Sequence, residues 1–171
     1  MIVWIQGVPN VGKTAVGTKL LPLLVGKGVG STAFILLDGD DFRKACGNDL
    51  GYTLEDRNRN AERIIGIVEL LSRQVHLVVC ANLTSKKFQK IAQERLDDYF
   101  DIYLFADQET LIQRDNKKMV YRSDIPGNKN IVGTHVPVSH PGHPYMSIDT
   151  SLSTGASPAS IARKIYEALR S

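Results

Sequence analysis

One segment near the start of the chain constrains its fold more than any other feature. It fits the pattern G-x-x-x-x-G-K-[ST] and consists of Gly7, Val8, Pro9, Asn10, Val11, Gly12, Lys13 and Thr14. An apolar run precedes it and a stretch of helical period follows it, which is the strand, loop and helix context that the pattern requires. Glycines let backbone amides turn inward around an anion, and the N-terminus of the helix adds positive potential. The segment therefore predicts a phosphate-binding loop; the alternative is a glycine-rich turn with an exposed lysine.

Two side chains of this loop have expected roles in holding a nucleoside triphosphate. Lys13 is placed to reach the β- and γ-phosphates of ATP, and the Thr14 hydroxyl is placed to hold Mg²⁺. We therefore expect the chain to bind ATP together with Mg²⁺.

Apolar runs and helical stretches alternate along the rest of the chain. Strands are predicted at residues 2–6, 34–37, 75–81, 102–105 and 146–148, and helices at residues 14–24, 55–73, 86–96, 108–114 and 161–169. Most of the strands are apolar enough to be buried on both faces, which is typical of a parallel sheet. The alternation predicts an α/β fold with a doubly wound, parallel, five-stranded sheet. At 171 residues the chain is expected to form one domain, residues 1–171.

Residues 116–145 form a stretch without a clear period that contains several prolines and glycines. Residues 114–145 carry five basic side chains against two acidic ones, and the rest of the chain nets zero charge. A long irregular segment inside a compact domain is usually functional, so we expect a basic lid at residues 116–145 that closes over bound substrate.

The charge and the cysteines limit the expected partners and location. A formal charge of +3 is too slight to imply a nucleic-acid partner or a membrane partner. No apolar run approaches the roughly 20 residues of a membrane span, and the first residues lack a signal-peptide pattern. Cys46 and Cys80 suit a reducing compartment. We expect a cytoplasmic protein with small-molecule substrates.

Carboxylates follow the second predicted strand, in the run Asp38-Gly39-Asp40-Asp41. In a doubly wound sheet the carboxyl ends of the strands line the ligand crevice, so these side chains are expected to face the phosphate-binding loop. One would lie near the metal, and one near an acceptor hydroxyl, whose proton an Asp can take late in phosphoryl transfer. The alternative is structural, with Asp38 in a turn and Asp40 as the N-cap of the next helix.

Arg57 and Asn60 lie one turn apart on the long predicted helix and therefore share a face. Because this helix leaves the carboxyl edge of the sheet, Arg57 could bind a phosphate or sulfate there. A solvated charged face remains the alternative. A zinc site at His135, His140 and His143 is disfavoured, because their spacing is not that of a helical histidine pair.

These motifs together resemble the adenylylsulfate kinases, small enzymes that use ATP to phosphorylate the 3′-hydroxyl of adenylylsulfate. The resemblance covers nearly the whole chain and rests on the phosphate-binding loop, Asp38-Gly39-Asp40 with Arg43, Gly51-Tyr52, Asp56-Arg57 with Asn60, Arg114-Asp115, residues 130–133, Pro137 and Ile148-Asp149-Thr150. It implies a P-loop nucleoside-triphosphate hydrolase/kinase fold, ATP as donor, Mg²⁺ as cofactor, a role in sulfate assimilation and a homodimer.

The resemblance also implies roles for single residues. Asp40 matches the acidic residue that acts on the acceptor hydroxyl, with Lys13 as its catalytic partner. Arg114 matches an arginine that covers the ATP base, and Tyr52 matches an aromatic that stacks on the adenine of the acceptor. Thr14 is the expected ligand of Mg²⁺, and Asp38 is expected to bind the ion through water or directly. The positions that fall on the acceptor site are Asp40, Arg43, Tyr52, Arg57, Asn60, Leu83, Thr84, Lys129 and Ile131.

The departures from the family pattern cluster around the acceptor. Ile131 stands where the family has a second stacking Phe, and Leu83-Thr84-Ser85 replaces Ile-Ser-Pro. Glu62 replaces an Arg, and the lid is less basic. The leading hypothesis is an ATP-dependent kinase of adenylylsulfate. The alternatives are a related acceptor such as a cytidine diphosphate derivative, for example cytidine diphosphoramidate in capsule modification, and a non-catalytic ATP-binding module.

Overall fold

The computed structural model describes residues 1–25, 33–83, 85–115 and 140–171. Within these ranges the strands are β1 (Ile2–Gln6), β2 (Phe34–Asp38), β3 (His76–Cys80), β4 (Tyr99–Phe105) and β5 (Met146–Asp149). The helices are α1 (Lys13–Val25), α2 (Gly39–Ala45), α3 (Leu54–Ser72), α4 (Lys86–Arg95), α5 (Gln108–Gln113) and α6 (Pro158–Ala168), with a 3₁₀ turn at Leu152–Thr154.

The five strands form one parallel sheet in the order β2-β3-β1-β4-β5. The central strand β1 pairs with β3 on one side and with β4 on the other, so that Ile2 lies opposite Leu77 and Tyr99. The order reverses next to β1, and a doubly wound sheet binds its ligands at such a switch point. The predicted fold class and strand number are confirmed.

Helices cover both faces of the sheet. On one face α1 and α6 bury Leu20 and Ile165 against Val3 and Ile5 of β1. On the other face α3 and α4 pack against the alternate side chains of the same strand, including Trp4. Each fully buried aliphatic side chain contributes about 1.5–3 kcal/mol, so these two layers carry most of the stabilising burial.

The helix ends follow local sequence signals. The Thr53 hydroxyl accepts from the amide of Asp56 at the start of α3, and a threonine is one of the residues preferred as N-cap. Ser157 and Ser160 form a capping box at α6, with Pro158 in its first turn. Helix α1 lies very close to β3 at Gly17. A Cβ at this position would be 2.5 Å from Cys80 Sγ, so the close approach requires glycine.

Two elements begin three residues earlier than predicted. Strand β4 begins at Tyr99 and includes the buried Asp101, and α6 begins at Pro158 rather than at residue 161. Helix α2 was not predicted; it follows β2 directly with Asp38 as its N-cap, so the alternative that made Asp40 the N-cap is wrong. No helix in the four described ranges is both long and apolar enough to cross a membrane.

Candidate active site

The phosphate-binding loop joins β1 to α1 at the carboxyl edge of the sheet. Gly7, Asn10 and Gly12 have positive φ angles of 145°, 63° and 103°. At Gly7 a Cβ would lie 2.3 Å from the carbonyl oxygen of Leu104, so only glycine fits there. The loop therefore has the irregular backbone that turns amide groups toward an anion.

Lys13 is the first residue of α1, and its ammonium lies over its own loop. Nζ donates to the carbonyl oxygens of Gly7 and Val8, both at 2.9 Å. Burial lowers the pKa of Lys13, while the carboxylates of Asp40 and Asp38 act in the opposite direction. Both carboxylates are therefore close enough to the Lys13 ammonium to favour its charged form.

Thr14 and Asp38 bring two oxygen ligands together beside the loop. The Thr14 hydroxyl donates to Asp38 Oδ2 at 2.5 Å. Asp38 Oδ1 accepts from the amides of Asp40 and Asp41, at 2.9 and 3.3 Å, and so fixes the start of α2. A hydroxyl and a carboxylate are hard oxygen donors of the kind Mg²⁺ uses, together with substrate phosphates. These two residues fit a magnesium ion.

The three adjacent aspartates differ in their contacts. Asp38 caps α2, and Asp41 pairs with Lys44 at 2.7 Å. The Asp40 carboxylate is exposed and makes no hydrogen bond or ion pair with any described residue. Gly39 sits close to Ala81, where a Cβ would approach the Ala81 Cβ to 3.1 Å, so α2 lies against the end of β3. Asp40 is thus the aspartate that is available for a substrate.

A second group of predicted residues lies around Tyr52, whose side chain is 51% exposed. The guanidinium of Arg43 is 5.0 Å from the Tyr52 ring centroid, and that of Arg57 is 5.5 Å from it. Arg57 Nε also donates to the Tyr52 carbonyl oxygen at 2.9 Å. Asn60 is buried on α3, and its Oδ1 has no partner among the described residues.

Arg43 differs from its expected role as a ligand of the acceptor. Its side chain is buried, and Nη1 donates to the carbonyl oxygens of Leu50 and Gly51, at 3.2 and 2.8 Å. The side chain therefore supports the loop that presents Tyr52. The sequence prediction missed this because a backbone carbonyl is present at every residue, so the identities of Leu50 and Gly51 do not mark them as partners of Arg43.

Arg114 joins the phosphate-binding loop to the end of β5. Its guanidinium donates to the Thr150 carbonyl oxygen at 2.7 Å, and more weakly to the Val11 carbonyl oxygen at 3.4 Å. The Thr150 hydroxyl donates to the same Val11 carbonyl at 2.9 Å. Arg114 therefore lies beside the loop, held there together with Thr150, which had no predicted role; its expected contact with the ATP base stays a prediction.

The remaining predicted residues have other outcomes. Leu83 is fully buried among the core side chains of the α3 face, so its expected contact with the acceptor is wrong. Thr84, Lys129 and Ile131 lie outside the described residues, as does most of the predicted lid. The end of that predicted segment packs on the body of the protein, with His140 bonded to the Tyr103 hydroxyl and Tyr145 to the Ala168 carbonyl.

Metal binding by histidine was disfavoured from the sequence. His135 lies outside the described residues, and Nδ1 of His140 is engaged by Tyr103. In the described part of the chain no cluster of three or more His, Cys, Asp or Glu side chains could hold a metal.

Comparisons with known proteins agree with this geometry. The sequence model of the family described as adenylylsulphate kinase matches residues 1–149. A probable adenylyl-sulfate kinase of Aeropyrum pernix is 32% identical over 160 residues, which cover 90% of this chain and 85% of that protein. The bifunctional enzyme NodQ of Rhizobium tropici is 28% identical over 99% of this chain, but the match covers 26% of NodQ.

A solved structure is similar along its whole length. The Mycobacterium tuberculosis APS kinase CysC, in complex with AMPPNP and APS, superposes with a TM-score of 0.83 at 25% identity. The match covers 99% of this chain and 97% of that one. The chain belongs to the adenylylsulfate kinase family and is an ATP-dependent phosphotransferase that acts on a hydroxyl group.

Proposed function

We propose that the protein transfers the γ-phosphoryl group of ATP to the 3′-hydroxyl of adenylylsulfate. The observation that carries the proposal is Asp40, an exposed carboxylate without a protein partner in the described ranges that is close enough to the Lys13 ammonium to favour its charged form. Family membership supports adenylylsulfate as the acceptor.

On the donor side, positively charged and polar groups neutralise the phosphates of ATP. In the proposed mechanism the Lys13 ammonium exchanges its two carbonyl partners for oxygens of the β- and γ-phosphates. Thr14 and Asp38 would hold Mg²⁺, which would neutralise charge that develops on the transferring phosphoryl group. The amides of the phosphate-binding loop stabilise the remaining charge.

On the acceptor side, the protein orients the acceptor hydroxyl toward the γ-phosphorus. Asp40 accepts a hydrogen bond from the acceptor hydroxyl, aligns it with the γ-phosphorus and takes its proton late in the transfer. The exposed ring of Tyr52 gives the acceptor base a surface for stacking, and Arg57 attracts the anionic part of the acceptor. Arg114 covers the ATP base.

A related acceptor, such as a cytidine diphosphate derivative, is the second candidate. Tyr52 is the one ring that the described residues place at the proposed acceptor site. Ile131 stands where a second stacking ring occurs in the family. A pyrimidine base needs less stacking surface than a purine, and each lost base stack costs about 1–3 kcal/mol. If adenylylsulfate is the acceptor, Ile131→Phe should leave or lower its KM; if the acceptor is different, the change should mainly lower turnover of that other substrate.

The reaction is proposed to take place in the cytoplasm as part of sulfate assimilation. Cys46 and Cys80 are free thiols, which suits a reducing compartment.

The test measures ATP consumption with Mg²⁺ and identifies the product by mass, with adenylylsulfate and cytidine diphosphate derivatives offered separately. We expect Asp40→Asn to lower kcat by about 10²–10⁴-fold while calorimetry shows unchanged ATP affinity. Asp41→Asn is the matched control, since this neighbouring carboxylate pairs with Lys44 at the surface. Turnover of neither acceptor would contradict the proposal and favour a non-catalytic ATP-binding module. Full turnover by Asp40→Asn would contradict the role of Asp40.

A further inference from the structure

A buried polar pair lies directly behind the phosphate-binding loop and has no part in the mechanism above. Gln6 is the last residue of β1 and is fully buried, and Asp101 of β4 is 4% exposed. Gln6 Nε2 donates to Asp101 Oδ1 at 2.6 Å. Each side chain keeps one buried oxygen, Gln6 Oε1 and Asp101 Oδ2, that has no partner in the described part of the chain.

One proton can satisfy both of these oxygens. An ionised carboxylate only accepts hydrogen bonds, so it leaves Gln6 Oε1 and its own Oδ2 unpaired. A protonated carboxyl gains one O–H donor. A primary amide and a carboxylic acid can then close a ring with two hydrogen bonds, N–H to carbonyl and O–H to carbonyl. The two unpaired oxygens are the two atoms that the second bond of such a ring needs.

We propose that Asp101 becomes a neutral carboxylic acid at mildly acidic pH, that its Oδ2 hydroxyl then donates to Gln6 Oε1, and that this closed pair fixes the start of the phosphate-binding loop. Asp101 is then a positioning residue for ATP binding. It acts through Gln6 and touches no substrate.

The surroundings favour the neutral form. Burial raises the pKa of Asp101 to about 6, against the lowering effect of the Gln6 hydrogen bond. The titratable neighbours on the same face of β4 are Tyr99, whose pKa is itself raised by burial and by Asp101, and Tyr103, which is bonded to His140. Across the sheet, β1 contributes the neutral Trp4 and Gln6. In the described ranges no Lys or Arg contributes to the pKa of Asp101.

The pair is connected to the site through the chain itself. Gln6 precedes Gly7, whose φ of 145° and close approach to Leu104 leave it little freedom. The Gly7 carbonyl holds the Lys13 ammonium. A side chain that anchors Gln6 therefore sets where the loop begins and where Lys13 rests. This reasoning predicts an effect on ATP affinity and none on the acceptor.

The experiment compares wild type with Asp101→Asn and Asp101→Leu, using calorimetry with ATP and Mg²⁺ and no acceptor, so that the result is independent of which acceptor the enzyme uses. Asn is a neutral isostere that can make both hydrogen bonds of the ring at every pH. At each pH the ATP dissociation constant of wild type is divided by that of Asp101→Asn. Protonation of ATP affects both constants equally and therefore does not change the ratio. The carboxyl ¹³C resonance of Asp101 in labelled wild-type protein gives its protonation state directly.

We expect wild type to match Asp101→Asn at about pH 5 and to bind ATP about fivefold more weakly than it at about pH 8, after the proton is lost. Asp101→Leu leaves the Gln6 amide unpaired and should bind ATP about tenfold more weakly at both pH values. The Asp101 carboxyl should titrate near 6.

Three results would overturn the inference. One is titration of Asp101 in the ordinary range near ~3.9. Another is a ratio of wild-type to Asp101→Asn affinity that does not change with pH. The third is normal ATP affinity in Asp101→Leu. If Asp101→Leu does not fold, the resonance and the Asp101→Asn ratio still decide the matter.

Discussion

Replacing Arg43 by Met tests whether this buried arginine supports the Tyr52 loop. In the structure Nη1 donates to the Leu50 and Gly51 carbonyl oxygens, and the guanidinium lies 5.0 Å from the Tyr52 ring centroid. Methionine has a similar length and fills irregular buried space, but it donates no hydrogen bond. The variant therefore removes the support while keeping most of the packing.

The magnitude follows from these contacts. The 2.8 Å bond from a charged donor contributes about 1.5–3 kcal/mol, and the 3.2 Å bond contributes less. The contact with a half-exposed aromatic ring adds about 0.5–1 kcal/mol. The folded variant no longer has the desolvation cost of a buried guanidinium, and this offsets part of the lost hydrogen-bond energy. The free energy of global unfolding should therefore change little. We take about 2 kcal/mol as the cost of ordering the loop again when the acceptor binds, which is about a 30-fold rise in the acceptor KM.

The assay is steady-state kinetics with each substrate varied at saturation of the other. The acceptor KM should rise about 30-fold, while the ATP KM stays within about twofold. Arg63→Met is the matched control, because Arg63 makes two hydrogen bonds to Asp49 on the same loop but lies at the surface. Such an exposed pair contributes about 0–1 kcal/mol. An unchanged acceptor KM in Arg43→Met, or an equal rise in both KM values, would refute the reasoning.

Three further outcomes follow from the geometry. Asp38→Asn should keep the cap of α2, since Asn caps as well as Asp, yet raise the Mg²⁺ concentration for half-maximal rate about ten- to hundredfold, with thermal unfolding unchanged. Gly17→Ala should lower the free energy of unfolding by about 1–3 kcal/mol in urea, because its Cβ meets Cys80 Sγ at 2.5 Å. The Gly17→Ala, Cys80→Ala double variant should regain most of that loss. Relative to Asp101→Asn, the wild-type free energy of unfolding should fall by about 2 kcal/mol as the pH rises from about 4 to about 6, because native Asp101 binds its proton more tightly than the unfolded chain does.

Each of these outcomes can fail separately. An unchanged Mg²⁺ requirement in Asp38→Asn would remove Asp38 from the metal site. A Gly17→Ala variant as stable as wild type would mean that α1 shifts freely on the sheet. Stability that rises between about pH 4 and 6 in wild type, relative to Asp101→Asn, would have the wrong sign for a buried neutral acid.

The parts of the structure that local patterns encode were predictable. The loop at Gly7 and the caps Thr53 and Ser157 depend on a few consecutive residues, and the fold class follows from the alternation of apolar runs. Helix α2 was harder to predict, because its first residues, Gly39 and Asp40, are weak helix formers. The Asp38 side chain caps the first amides of α2 and so begins a helix that the helix propensities of Gly39 and Asp40 do not favour.

The contacts that were missed join distant parts of the chain. Gln6 and Asp101 are 95 residues apart, and Asp101 interrupts an apolar pattern that otherwise would have placed the start of β4 correctly. Leu83 was assigned to the acceptor through the family resemblance, and only the packing of the helices shows that it lies in the core. The partners of Arg43 are nearer, seven and eight residues along the chain, but they are backbone carbonyls, which no side-chain pattern marks.

The fluorescence of the Trp4 indole reports on the environment of the central strand β1. It is the one tryptophan in the sequence, it is fully buried, and its Nε1 donates to the Ala81 carbonyl oxygen at 2.9 Å. Its emission therefore comes from a single, dry environment in the central strand, three residues before Gly7. Unfolding would expose the ring to water and shift that emission to longer wavelength. The protein thus carries an intrinsic fluorophore that can follow denaturation without any attached dye.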